Sequence, residues 1–132
     1  MNISNWLSAA LLNATLRNTA FSSPATVYLA LYTSDPTPAD TGSEVSGGGY
    51  KRVAITFAAP SIENGMQTVK NSADIEFPIA STDWGLITHI GLRTAATGGN
   101  LLWSKALDNP RTIQVGDKPK FLKDGTLVRF TN

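Results

Sequence analysis

The stretch Thr26-Val-Tyr-Leu-Ala-Leu-Tyr32 decides the fold class, because apolar residues occupy both of its alternating faces. A short strand of this kind is typical of the middle of a sheet, or of a strand whose second face is covered by a helix. The next predicted strand, Tyr50 to Phe57, alternates more regularly, with Val53 and Ile55 on one side. A polar loop over residues 35–49, rich in Pro, Gly, Ser and acidic residues, separates the two strands.

Short alternating segments continue to the end of the chain. They run from Ala73 to Ile79, Ile87 to Leu92, Leu101 to Leu107, Thr112 to Val115 and Thr126 to Phe130, and turn signals such as Asn64-Gly65, Gly98-Gly99-Asn100, Asn109-Pro110, Gly116-Asp117 and Asp124-Gly125 stand between strands. Spacing of this kind favours an antiparallel sandwich over an alternating α/β layout. We therefore predict a mainly β protein, an antiparallel β-sandwich of about seven or eight short strands over residues 25–132.

The first nineteen residues (1–19) have a helical rather than an alternating pattern. Apolar residues recur at three- and four-residue spacing at Ile3, Trp6, Leu7, Ala10, Leu11 and Ala14. Asn2 or Ser4 could cap the start of this amphipathic helix, and Asn18 could end it. Leu12 and Leu16 widen the apolar side, so the helix is expected to be covered by its own domain or by a neighbouring copy.

Composition narrows the class of protein. The chain has 132 residues, of which 42% are hydrophobic and 16% charged, which fits one globular domain over residues 1–132. A formal net charge of +1 argues against a nucleic-acid-binding surface. The basic cluster of Lys118, Lys120 and Lys123, with Arg111 nearby, is interpreted as a solvated hairpin rim, because Asp117 and Asp124 interrupt it. Without cysteine, an apolar leader or a long apolar run, the sequence predicts no disulfide, no secretion signal and no membrane span.

The loop over residues 35–49 is the best candidate for a working surface, since long loops in compact domains tend to be functional or ordered by a partner. Val45 is its one apolar anchor in the sequence. The glycines at 47–49 lead into a strand, which excludes a phosphate-binding loop. Asp35, Asp40 and Glu44 could offer oxygen atoms to calcium, but their spacing matches no calcium loop, so no metal or other cofactor is predicted.

Enzymatic motifs are absent from the sequence. His89 lies inside an alternating strand, where a histidine bonded to a neighbour is commoner than a general base. Ser81 and Asp83 could complete a triad with His89, yet no nucleophile elbow or oxyanion hole would position it. Asp74 and Glu76 are the one close pair of carboxylates on a strand face, and they are interpreted as the solvent-exposed edge of a sheet rather than as a catalytic pair. We therefore predict a protein that is not an enzyme.

The order of several short segments resembles a family of small structural proteins of tailed bacteriophages, described as tail-fibre or minor-tail proteins. The segments are Tyr28-Leu-Ala-Leu-Tyr-Thr-Ser-Asp-Pro36, Glu44-Val-Ser-Gly-Gly-Gly-Tyr50, Asn71-Ser72, Phe77-Pro78, Trp84-Gly85, Thr88-His-Ile-Gly91, Gly98-Gly-Asn-Leu-Leu102 and Gly116-Asp117. Arg93 and the basic stretch from Lys118 to Lys123 depart from the family pattern. The resemblance implies a structural virion component assembled in the host cytoplasm, either a tail-fibre or minor-tail protein or a capsid decoration (cement) protein.

Multivalent contacts with other virion proteins are the mechanism that the resemblance implies. The wide apolar helix, the two-sided apolar strand from Val27 to Tyr32 and the unanchored loop favour a homo-oligomer, and analogy with phage fibres favours a trimer. The predicted contact residues are Trp6 and Leu7 of the helix and Asp40, Glu44 and Val45 of the loop.

A second hypothesis is a host-glycan-binding module of a tail fibre. Indole rings stack on sugars, although tryptophans near strands more often fill the core. Trp84 follows a turn and is expected to be the more exposed tryptophan, whereas Trp103 is expected to be buried. Trp84 is therefore the candidate glycan-binding residue.

Overall fold

The computed structural model describes residues 1–130. In chain order, the elements formed there are β1 (Asn2–Ile3), α1 (Asn5–Leu16), β2 (Val27–Tyr32), β3 (Val53–Ile55), β4 (Ser61–Glu63), β5 (Met66–Lys70), β6 (Ile75–Glu76), β7 (Gly85–Arg93), β8 (Leu101–Ile113), β9 (Lys120–Phe121) and β10 (Leu127–Arg129). Every strand pairing is antiparallel. The predicted fold, mainly β and antiparallel with one helix near the N-terminus, is confirmed. Thr131 and Asn132, the end of the predicted domain, lie outside the described residues.

The largest sheet has five strands in the order β1-β8-β7-β2-β3. Strand β2 is paired on both sides, and residues Leu29 to Tyr32 are buried, which explains why both of its faces are apolar. Two smaller sheets, β10-β5-β4 and β6-β9, pack with it in a sandwich-like arrangement.

Strand β8 differs most from the prediction. We expected separate strands at Leu101 to Leu107 and Thr112 to Val115 with a turn at Asn109-Pro110, but one 13-residue strand spans Leu101 to Ile113. Ile87 pairs with Arg111 and His89 with Ala106. Residues 107–110 of β8 therefore lie opposite a single residue of β7 and form a bulge. The bulge accommodates Pro110, which has no amide hydrogen to give to a ladder.

The hairpin of β4 and β5 confirms the predicted turn at Asn64-Gly65. Both turn residues have positive φ, 52° at Asn64 and 76° at Gly65, as a two-residue turn between right-twisted strands requires. The short strands on either side escaped prediction, because exposed Ser61, Ile62 and Gln67 give no regular alternation. Conversely, the predicted strand from Ala73 to Ile79 shortens to Ile75–Glu76, which ends before Pro78.

A single buried cluster joins the helix to all three sheets. Its members include Leu7, Leu29, Leu31, Ile55, Ile75, Phe77, Trp84, Ile87, Ile90, Leu92, Leu102, Ile113 and Val128. Phe77 makes two aromatic contacts in this cluster. Its ring is stacked on that of Tyr50, with 6.2 Å between ring centroids, and lies edge-on to that of Phe121 at 5.9 Å.

Asn71 is fully buried where the smaller sheets meet. Its side-chain amide donates to the carbonyls of Ala73 and Leu122, each at 2.9 Å, and its side-chain oxygen accepts from the Thr126 amide at 2.9 Å. These bonds satisfy backbone groups of irregular segments that no strand pairs. Asn71 therefore connects the segment after β5 to the segment before β10.

The helix α1 is too short to cross a bilayer, and the described part of the chain has no other helix.

Candidate interaction surfaces

The start of α1 is fixed to both the largest sheet and the long loop. Ser4, which is buried, caps the helix by accepting a hydrogen bond from the Leu7 amide at 3.1 Å. The Ser4 amide donates to the carbonyl of Leu102 at 2.9 Å, and the Asn5 amide donates to the carbonyl of Pro38 at 2.8 Å. The helix thus begins where Pro38 of the loop lies beside the sheet, so the predicted helix contacts lie next to the first half of the loop.

Helix α1 is shorter than the predicted 1–19. It ends at Leu16 with Arg17 as C-cap, and Asn18 follows with a φ of 54°, a left-handed conformation common just after a helix. The preference for Ser4 over Asn2 as N-cap is settled by the Leu7 hydrogen bond, while Asn2 pairs with β8 instead.

The helix buries one apolar side and exposes another. Leu7 is 2% exposed and packs in the core, with Leu11 beside it. On the outward side the exposed fractions are 41% for Trp6, 58% for Leu12 and 78% for Leu16. At about 100° per residue, Trp6, Ala9, Leu12 and Leu16 share one face of the helix, on which Asn5 and Asn13 also lie. We call the four apolar residues the outer helix face.

Phe21 extends the outer helix face beyond the helix. Its ring lies 6.2 Å from that of Trp6, centroid to centroid, at an interplanar angle of 58°. The contact restrains Trp6 without burying it, so a large aromatic side chain is held in place at the surface. Of the two predicted helix contacts, Trp6 is available to a partner and Leu7 is not, because Leu7 attaches the helix to its own core.

Arg93 holds the first half of the loop. This side chain, 7% exposed, donates to Asp40 at 2.7 Å and to the Tyr32 hydroxyl at 3.0 Å. It also donates to the carbonyl of Gly99 at 3.1 Å. A planar guanidinium can serve several acceptors at once, which lysine cannot do. Arg93, the residue noted above as a departure from the family pattern, thus connects the loop to the β7–β8 turn through its side chain, and we call this connection an arginine clamp.

Arg52 holds the second half of the loop in a similar way. Its guanidinium binds both carboxylate oxygens of Glu44 at 2.8 Å and the carbonyl of Ala95 at 2.8 Å. The Tyr50 hydroxyl donates to Glu44 at 2.6 Å and accepts from the Leu31 amide at 3.0 Å. Burial works against the charged form of Glu44, but the bonds from Arg52 and Tyr50 outweigh it and lower the pKa of Glu44.

The loop is therefore not the unanchored segment that its composition suggested. Besides the two arginine clamps, Pro36 is buried, the Val45 amide donates to the Leu31 carbonyl at 3.0 Å, and the Thr33 amide donates to the Ser43 carbonyl at 2.9 Å. Asp40 and Glu44 are each paired with an arginine, and Asp40 also remains in contact with solvent. In the described residues no group of three or more His, Cys, Asp or Glu is arranged to hold a metal ion.

The Glu44 clamp predicts acid sensitivity of the loop. Because the folded-state pKa of Glu44 lies below its ordinary value, this carboxylate stabilises the folded loop above about pH 4.3. That stabilisation should disappear as the pH falls from there through the folded-state pKa. The protection factor of the Val45 amide, which compares its observed exchange rate with the intrinsic rate at the same pH, should fall in that window.

Glu44→Gln is the matched control for the acid sensitivity. The substitution should remove the additional pH dependence, and the Val45 amide of the variant should exchange faster than that of the wild type at neutral pH. If the Val45 protection factor of this variant still fell between pH 6 and pH 3.5 by as much as in the wild type, the assignment to Glu44 would be contradicted.

Val45 and Trp84 are buried, at 6% and 5% exposure. The indole nitrogen of Trp84 donates to the carbonyl of Gly48 at 2.9 Å, and the ring lies edge-on to Tyr50 at 5.4 Å. The expectation that Trp84 is the exposed tryptophan is wrong, because the glycine segment at 47–49 folds over it; Trp103 is the more exposed of the two. A sugar therefore has no free Trp84 face to stack on.

His89 is bonded to a neighbour, as the strand pattern indicated. Its Nδ1 lies 2.8 Å from the Thr88 hydroxyl, and its Nε2 lies 3.9 Å from a carboxylate oxygen of Asp35. Asp83, a member of the hypothetical triad, instead accepts a hydrogen bond from the Val115 amide at 2.8 Å. The triad is thus not assembled.

The predicted basic rim is paired with the predicted acidic edge. Lys118 lies 3.3 Å from Glu76, and Lys120 lies 3.6 Å from Asp74, across the β6–β9 pairing. The Lys123 amide donates to Asp74 at 2.7 Å, and this bond lowers the pKa of Asp74. The cluster is a charge-compensated rim, which does not resemble a footprint for nucleic acid.

Sequence reasoning missed Arg52, Tyr50 and Arg93 as the residues that order the loop. The available signal was an arginine at each of two positions beside or within apolar strands, since a charge there requires a partner.

A family model described as Podophage GP4 fiber I protein gp80 matches residues 2–129. The match spans every helix and strand of the described residues, from β1 to β10. No curated protein matches the chain at a significant level.

Proposed function

The chain belongs to the family described as Podophage GP4 fiber I protein gp80, and from this membership we propose that it is a fibre subunit that associates with copies of itself through the outer helix face. The family is one of phage fibre proteins, so the chain is a component of the virion that contacts other virion proteins. The exposed apolar side of α1 is the observation that carries the proposal.

The outer helix face has the character of an interface rather than of a solvated surface. Exposed apolar residues are common singly, but Trp6, Leu12 and Leu16 lie together on one helix and continue into Phe21. Clusters of exposed apolar residues are typical of association sites in soluble proteins. Aromatic residues are enriched at the centres of interfaces, and Trp6 is already restrained there by Phe21.

A second copy of the chain is the occupant that the charges favour. Residues 1–16 contain no Lys, Arg, Asp or Glu, so two such helices meet without like-charge repulsion and without burying an unpaired charge. A symmetric assembly repeats the same patch at every contact, which is how a fibre is built from one kind of subunit.

A trimer suits the width of the outer helix face. From Leu12 to Trp6 the exposed residues span about 120° of the helix circumference. One partner helix covers a narrower seam, whereas each helix around a threefold axis contacts two neighbours. We therefore propose a trimer with the helices at its axis.

The loop supplies the polar rim of this interface. Pro38 touches the start of the helix through its carbonyl, and Asp40 lies two residues further along. Arg93 holds Asp40 in a defined position, so the rim is ordered before association and costs little entropy on binding. Leu7, Glu44 and Val45 act in support, by fixing the helix and the loop rather than by touching the partner.

The test is the solution mass by light scattering across a dilution series. The wild-type protein should form a trimer, and Leu12→Glu/Leu16→Glu should raise its dissociation constant by about 100-fold or more, since burial of two leucines is worth about 3 kcal/mol or more. Both side chains are exposed in the subunit, so the variant should unfold at nearly the wild-type temperature.

Ile79→Glu is the matched control, because Ile79 is 61% exposed and lies outside the helix. It should assemble like the wild type. A wild-type protein that is monomeric at every concentration, or an equal loss of assembly in both variants, would refute self-association through this helix. Family membership favours a fibre over a capsid decoration protein, although both roles use repeated contacts of this type.

A further inference from the structure

We propose that the groove beneath the β8 bulge binds an acidic saccharide through the guanidinium of Arg111. The groove has a volume of about 570 Å³. It lies between the far end of the largest sheet and the strand β9, on elements that the outer helix face does not use. Clefts of roughly 300–1,000 Å³ commonly hold small ligands.

The bulge creates the space. Residues 107–110 leave the ladder between β7 and β8, because Ile87 pairs with Arg111 while His89 pairs with Ala106. Leu107 and Asn109 then form one side of the groove, and Phe121 forms another. Bulges often redirect side chains beside functional sites.

Arg111 occupies a register position where an apolar residue would be expected. It is directly opposite Ile87, so the two side chains emerge on the same face of the sheet, and Ile113 follows on that face. Both isoleucines are buried, at 2% and 8% exposure, and both line the groove together with Arg111. A cation at the mouth of an apolar floor is a position for recognising an anion rather than for filling a core.

The charge of Arg111 is not used within the described residues. The ion pairs formed by residues 1–130 involve Arg52, Lys70, His89, Arg93, Lys118 and Lys120, and Arg111 is in none of them. Asp117, which also lines the groove, accepts a hydrogen bond from the Gln114 amide at 2.8 Å. The two lysines at the rim are paired with Glu76 and Asp74. The guanidinium of Arg111 can therefore pair with one carboxylate of a ligand.

The remaining lining favours a sugar acid. Phe121 and Leu107 are partly buried apolar surfaces on which a pyranose ring can lie. Asn109 offers a side-chain amide, which can exchange hydrogen bonds with sugar hydroxyls. A planar guanidinium can bind a carboxylate with two parallel hydrogen bonds. A hexuronic acid combines these features in one residue.

The experiment is an NMR titration of the full chain with a glucuronate-terminated disaccharide and with its neutral glucose counterpart. We expect saturable shifts of the Arg111 and Phe121 amides with the acidic sugar, and at least tenfold weaker binding of the neutral one. Arg111→Gln should weaken binding of the acidic sugar at least tenfold, whereas Lys51→Gln, an exposed cation on another segment, should bind like the wild type.

Three results would overturn the proposal: equal binding of both sugars, unchanged binding by Arg111→Gln, or tighter binding of a hexaglutamate peptide than of the acidic disaccharide. The last would identify the groove as a site for an acidic protein segment. Arg111 is exposed, so its variants should fold, and an unchanged thermal midpoint verifies this. The light-scattering test of the outer helix face is independent of this titration, so either proposal can fail alone.

Discussion

Asn71→Leu is expected to lower the free energy of unfolding by about 2–4 kcal/mol, because it leaves the buried Thr126 amide without an acceptor, at a cost of about 1–3 kcal/mol, and removes two less buried hydrogen bonds worth about 0.5 kcal/mol each. The two less buried bonds run to the carbonyls of Ala73 and Leu122, which are exposed residues, and the Leu122 carbonyl keeps its hydrogen bond from the Gly125 amide. Leucine is similar in size, so the loss reflects hydrogen bonding more than an empty cavity. Urea denaturation followed by tryptophan fluorescence measures the change.

Ser72→Ala is the matched control for Asn71→Leu. Ser72 is the next residue, and its hydroxyl bonds to Thr56 at an exposed position. This change should cost less than about 1 kcal/mol. If the two variants were equally stable, Asn71 would not be the connection between the smaller sheets.

Arg93→Met is expected to cost about 2–4 kcal/mol and to release the loop over residues 35–49. Removing one side of a buried ion pair leaves the other without compensation. Asp40 is 35% exposed at its side chain, so water can partly replace the lost partner there. The larger loss falls on the Tyr32 hydroxyl and the Gly99 carbonyl. Hydrogen exchange should accelerate at loop amides before the sheet unfolds.

Two further variants give the Arg93 prediction its specificity. Arg93→Lys retains the positive charge but not the planar guanidinium with its several donors, so its stability should lie between those of the wild type and Arg93→Met. Arg17→Met removes an exposed arginine at the end of α1 and should change stability by less than about 0.5 kcal/mol. Loop exchange that stays at the wild-type rate in Arg93→Met would show that Arg52 and Pro36 hold the loop without it.

Local chemistry explains the successful predictions. Ser4 can cap a helix from its own hydroxyl, and Asn64-Gly65 can turn a hairpin from its own backbone, so neighbours in the chain suffice. The alternating apolar pattern of β2 similarly reports a strand with two covered faces. The contact role of Trp6 stays a prediction, and its exposure leaves it available to a partner.

The incorrect expectations concern residues whose environment comes from distant parts of the chain. Trp84 looked exposed beside its turn, yet Gly48, far away in sequence, closes over it. The loop over residues 35–49 looked free because its partners, Arg52 and Arg93, lie outside it. The Asn109-Pro110 turn became a bulge because β7 continues past it and keeps β8 in one strand.

By itself, the sequence determined the antiparallel β class, the helix at the N-terminus and the uncharged character of that helix, since these depend on periodicity and composition over short windows. Tertiary structure alone decided that Leu7 faces the core while Leu12 and Leu16 face solvent, and that two arginines order the loop. It also placed Arg111 at the mouth of a groove. Burial and long-range pairing arise only when segments distant in sequence pack together, and no local pattern records which of them will meet.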